Sequence, residues 1–129
     1  MTTDLTMLAW TAAFTSLLWI PYILARIQAA GFMETLTYVA DDAPLPGWAQ
    51  RAKRAHYNAI ESLAPFAAVV IVAHLTGSAN EATAVWSMIF FWARVAHYFA
   101  YISGLPFVRT TFFTVGWIAT LVIFWHIVV

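Results

Sequence analysis

Two ionisable residues, Glu61 and Arg94, fall inside long apolar stretches of the sequence. An ionised side chain near the centre of a bilayer costs roughly 2.5–3.5 kcal/mol on insertion scales, so such groups face a protein interior and hold a partner or a ligand. Their neighbours extend the polar pattern. Arg51, Arg54, Asn58 and Glu61 follow the spacing i, i+3, i+7, i+10, which is one face of a helix. Arg94, His97, Tyr98 and Tyr101 follow i, i+3, i+4, i+7 and share a face in the same way. Trp19, Tyr22 and Arg26 form a stripe on an earlier segment, and Arg109 opens a later one. Together they predict a cationic, hydrogen-bonding pocket with several guanidiniums, one carboxylate, an amide and two phenols.

Guanidinium forks bind carboxylates bidentately, and Glu61 can receive an ammonium group. Glutathione carries two carboxylates and one ammonium. It also brings a thiol, which the chain lacks, since cysteine is absent. That absence excludes a disulfide framework, a Cys-ligated metal and a protein thiol nucleophile. The same spacing equally permits Glu61 to pair with Arg54 or Arg94 and lock the bundle. Arg26 and Lys53, at membrane edges, also suit snorkelling anchors. His56 lies off the main stripe and reads as structural, and His74 and His126 as interfacial or packing residues. No two histidines form an H-x-x-x-H pair, so no metal site is expected.

The elements that must position these groups follow from composition. Hydrophobic residues make up 63% of the 129 residues and charged ones 9%, against about 25% charged in soluble domains. So few charges cannot cover a small soluble globule. Net charge is zero, which leaves no field to steer the chain toward nucleic acid. Uncharged stretches run over 5–25, 62–80 and 110–129, each near the roughly 20 residues that span a bilayer. A fourth, 82–102, is long enough if it tolerates Arg94. The chain therefore reads as an all-α membrane protein, one domain of four transmembrane helices near 4–30, 49–77, 81–102 and 107–128. The first span is too long for a signal peptide and begins with Asp4 rather than a basic residue, so it is expected to be a mature helix. The polar stretch 31–50 holds Asp41, Asp42, Pro44, Pro46 and Gly47, which stop helix propagation. Arg26, Arg51, Lys53, Arg54 and Arg109 cluster on one side, which places the 31–50 loop in the cytoplasm. The short loops point to a bacterial inner membrane.

The run Arg51-x-x-Arg54-Ala55-x-x-Asn58-x-x-Glu61, followed by Pro65-Phe66, resembles the second-helix signature of the MAPEG family, the membrane-associated proteins in eicosanoid and glutathione metabolism. Arg94-Val95-Ala96-His97-x-x-Ala100-Tyr101, with Arg109 after a short turn, is similar to that family's third and fourth helices, most of all in its microsomal prostaglandin E synthase branch. The resemblance spans about residues 5–128. It implies a homotrimeric four-helix fold with glutathione, as cosubstrate, bound at subunit interfaces. It implies that Arg54, Asn58 and Glu61 bind glutathione from the second helix, and Arg94, His97 and Tyr101 from the third. Arg51 falls on the same face, and Arg26 corresponds to a first-helix arginine that reaches the ligand. Arg109 resembles the arginine that stabilises the thiolate, with Thr110 as a second donor. The Tyr101–Arg109 separation is one residue shorter than in the prostaglandin branch. Thr110, Phe113 and Tyr57 also stand where that branch or other members have serine, tyrosine and a basic residue.

A thiolate is the nucleophilic form of a thiol, and a guanidinium hydrogen-bonded to sulfur favours it. The expected activity is glutathione transfer to a lipophilic electrophile, or glutathione-dependent reduction of a lipid hydroperoxide, with the second substrate entering from the lipid. Two other readings stand beside it. One is a non-catalytic protein of the same fold that binds another anionic or lipid ligand. The other is a small multidrug transporter in which Glu61 exchanges protons and cationic drugs, although the neighbouring arginines would repel a cation.

Overall fold

A computed structural model of the protein describes residues 1–37 and 44–129. Asp41 and Asp42 of the polar loop lie outside the described residues. The elements are all helical: α1 (Thr3–Leu17), α2 (Trp19–Ala30), α3 (Phe32–Leu36), α4 (Gly47–Leu75), α5 (Glu81–Ile102) and α6 (Pro106–Val128).

Local chemistry sets the helix ends. The Thr2 hydroxyl accepts from the Leu5 amide at 3.3 Å and caps α1. The first apolar segment is two helices rather than one. Pro21 has no N–H, and its ring crowds the Leu17 carbonyl one turn earlier. The ladder shortens there to a Leu18 N–H to Thr15 carbonyl bond of 3.2 Å, and α2 restarts at Trp19. Gly31, at φ +102°, ends α2 and turns the chain into the short α3, a helical turn within the stretch read as loop. Pro46 opens α4, its carbonyl accepting from Ala49 and Gln50 at 3.0 Å each. Asn80 and Thr83 form a reciprocal capping box that starts α5. Pro106 occupies the first turn of α6, where its missing N–H costs nothing.

Thr3–Ala30, Gly47–Leu75 and Pro106–Val128 are each long and apolar enough to cross a membrane. α5 is the fourth long helix, and its Arg94 is turned inward, 4% exposed. This is a multi-pass integral membrane protein. Without a hydrophobic drive between helices in lipid, close contact favours small residues. The sequence supplies them on α4: Ala49, Ala52, Ala55 and Ala59 are buried, the first two against Tyr22 and Ala25 of α2. Further along α4, Phe66, Val70 and Ala73 pack with Phe90 of α5 and Ala119 and Ile123 of α6. The Phe66 and Phe90 rings stack at 3.8 Å, 7° apart. A separate cluster joins Leu18, Ala55, Ala59 and Tyr98. α5 and α6 share the most extensive helix contact. That packing leaves a groove along the α4–α5–α6 face.

Candidate functional site

Three adjoining cavities make up the groove. The apolar one, about 370 Å³, lies between Glu61, Ser62 and Pro65 of α4 and Gly116, Trp117, Thr120 and Leu121 of α6, with Phe90 and Arg94 behind. The middle one, about 310 Å³, is lined by Asn58, His97, Tyr101, Arg109, Thr110 and Phe113. The third, about 300 Å³, lies at the α5–α6 turn among Arg51, Arg54, Tyr101 and Arg109. Asn58 and Phe113 line both the first and the second, and Tyr101 and Arg109 both the second and the third. The groove thus passes continuously from a cationic end to an apolar one.

Hydrogen bonds fix its walls. Arg94 Nη2 donates to Asn58 Oδ1 at 2.7 Å. A guanidinium has only donors, so this bond commits the amide oxygen and leaves the Asn58 NH₂ as the free end. Arg94 Nε is buried with no partner. Arg51 Nε donates to the Ile102 carbonyl at 2.9 Å, tying α4 to the end of α5. That carbonyl is one of the four a helix C-terminus leaves unpaired, and a cation there complements the helix dipole. Arg109 Cζ sits 4.6 Å above the Tyr101 ring. His97 is 2% exposed, meets Tyr101 edge-on at 5.6 Å and leaves its Nδ1 unpartnered. Four guanidiniums therefore line the groove against one carboxylate, Glu61, and among the described residues none of the five forms an ion pair. Such an excess of fixed cations with unused donors is chemically suited to an anion.

The sequence model of the MAPEG family matches residues 6–129. The chain belongs to the MAPEG family. No curated protein and no solved structure gives a significant match. MAPEG proteins are membrane glutathione-dependent enzymes, and the family match carries no assignment to the prostaglandin E synthase branch or to any other member.

The structure brings most of the residues singled out from the sequence to this MAPEG groove. Arg51, Arg54, Asn58, Glu61, Arg94, His97, Tyr101, Arg109 and Thr110 all line it. Glu61 does not pair with Arg54 or Arg94. Arg26 lies elsewhere, 6% exposed on the α2 face that packs toward α4, and lines none of the three cavities. Trp19, 47% exposed, points away from that face. Tyr98, expected in the pocket, turns from it to meet Phe14 of α1 at 5.8 Å. The Thr110 hydroxyl donates to the Pro106 carbonyl of its own helix at 2.9 Å, so it can reach a ligand only by leaving that bond. His56, off the stripe, accepts or donates at Nδ1 to the Tyr22 hydroxyl across 2.8 Å and links α2 to α4. Sequence reasoning missed the apolar wall of Phe90, Gly116 and Trp117. The one signal there is Gly116, a glycine within an apolar span that lies beside Arg94 and Phe90.

Proposed function

We propose that this protein binds glutathione in the cationic part of the groove and uses its thiolate on a lipophilic substrate lodged in the apolar part. The observation that carries this reading is Arg109, a guanidinium without an anionic partner among the described residues, in the cavity shared with Asn58, His97 and Tyr101. Arg51, Arg54 and Arg94 supply forks for two carboxylates, the Asn58 NH₂ a further donor, and Glu61 a seat for the ammonium. His97 and Tyr101 complete the wall. Arg109 stabilises the thiolate, and Thr110 adds a donor once its hydroxyl swings from Pro106. In a transfer reaction, sulfur bonds to the electrophilic carbon and the displaced group leaves with its electron pair. In a peroxidase reaction, two glutathiones are oxidised to the disulfide while the hydroperoxide is reduced to an alcohol and water.

The working unit in this reading is a homotrimer in a bacterial inner membrane, with the 31–50 loop on the cytoplasmic side. Calorimetry of glutathione binding to the purified protein in detergent, for wild type and Glu61→Gln, tests the reading. Binding that weakens about tenfold or more in the variant is expected, since a charge-assisted contact is worth roughly 1.5–3 kcal/mol. No binding to wild type at millimolar glutathione refutes it and leaves a MAPEG-fold protein for another anion or lipid.

A further inference from the structure

Arg109 stands in the first turns of α6, and nothing of opposite charge orients it among the described residues. Its neighbour is the ring of Tyr101, with the guanidinium carbon 4.6 Å above the centroid. That is well within the range of about 6 Å over which a cation is drawn to an aromatic face. The ring is itself held. His97, one turn earlier on α5 and almost fully buried, forms a T-shaped ring pair with Tyr101 at 5.6 Å and 76°. Phe113 of α6 backs His97 at 6.4 Å. On the other side, Arg51 clamps the carbonyl of Ile102, the residue after Tyr101. The Tyr101 hydroxyl, by contrast, makes no hydrogen bond to a described residue.

We infer that Tyr101 is a positioning residue whose ring face, and not its hydroxyl, holds the Arg109 guanidinium where the glutathione thiolate forms. The inference rests on the reading of Arg109 as the thiolate's counter-ion. An aromatic face fixes the cation without occupying its N–H groups, whereas a carboxylate in that place would consume them and neutralise the charge. The arrangement keeps a full positive charge oriented and unspent until the ligand's sulfur arrives.

The test follows the ultraviolet absorbance of bound thiolate against pH in wild type, Tyr101→Phe and Tyr101→Leu, with binding measured separately by calorimetry. Wild type is expected to ionise bound glutathione at a lower pH than free glutathione. Tyr101→Phe keeps the ring and is expected to keep that midpoint. Tyr101→Leu is expected to raise it by about half a pH unit or more, the equivalent of one partly exposed cation–π contact. Tyr101→Met serves the same comparison if the Leu variant does not fold. A midpoint raised equally in Phe and Leu variants assigns the effect to the hydroxyl and overturns the inference. A midpoint unchanged in both overturns it as well. Bound glutathione that ionises no more readily than free glutathione in wild type overturns the reading of Arg109 itself, and the inference with it.

Discussion

Removing Asn58 as an acceptor probes the buried charge most directly. Arg94 is 4% exposed, its Nε has no partner, and its one hydrogen bond runs to Asn58 Oδ1 at 2.7 Å. Asn58→Leu keeps the volume and deletes that acceptor, leaving a guanidinium inside the bundle with no hydrogen bond to a described residue. A hydrogen bond to a charged group is worth about 1.5–3 kcal/mol. Hydrogen bonds between membrane helices average about 0.6 kcal/mol, because the unfolded chain finds other partners there. A buried cation whose remaining nitrogens are unsatisfied belongs at the upper end, so Asn58→Leu is expected to cost about 2–3 kcal/mol. Arg94→Met removes the charge together with its need, and in that background Asn58→Leu is expected to cost under about 1 kcal/mol. The coupling in the double-mutant cycle is then about 1 kcal/mol or more. Equilibrium unfolding in mixed detergent–dodecyl sulfate micelles, without ligand and followed by tryptophan fluorescence, gives the four stabilities. A coupling below about 0.5 kcal/mol refutes the claim that this bond satisfies the buried charge. Asn58→Asp, which restores an acceptor, is expected to recover most of the loss.

Other perturbations have equally definite outcomes. Arg109→Leu is expected to reduce turnover about 100-fold or more while changing glutathione affinity only a few-fold; steady-state kinetics and calorimetry separate the two, and unchanged turnover removes Arg109 from the chemistry. Phe66→Ala deletes a fully buried ring stacked on Phe90. It should cost about 2–3 kcal/mol in the same unfolding assay, less than in a soluble core, because lipid cancels the transfer contribution and leaves the cavity one. Tyr22→Phe breaks the 2.8 Å link to His56 and is expected to cost about 0.6–1.5 kcal/mol without altering glutathione binding, which calorimetry checks.

The cationic part of the groove was legible because α4 carries it on one turn-by-turn stripe. Arg51, Arg54, Asn58 and Glu61 recur at helical spacing, and a buried stripe must face something. The same period misplaced Tyr98. Residues 97, 98 and 101 fall within one arc of α5, but the groove takes only the side with His97 and Tyr101, while Tyr98 covers α1. Spacing along one helix cannot supply the offset between helices, so whether Glu61 met Arg54 or Arg94 could not be read. The break at Leu18 was hidden because hydropathy registers Pro21 as tolerable and ignores its missing N–H. Phe90 and Trp117 were invisible as groove residues, since an apolar side chain in an apolar helix carries no mark of what it faces.

α4 has 29 residues, about 43 Å at the helical rise, against a hydrocarbon layer of roughly 30 Å. With Leu75 at one boundary, Glu61 lies about 21 Å away, roughly a third of the way in from the opposite boundary, while Arg51 and Arg54 project among the headgroups. Few Å separate a hydrated Glu61 from a lipid-submerged one. Shorter acyl chains lift that carboxylate toward water, and longer ones sink it or tilt the helix. Hydrophobic mismatch thereby acts on the depth of the groove's one carboxylate, which follows the acyl-chain length of the surrounding lipid.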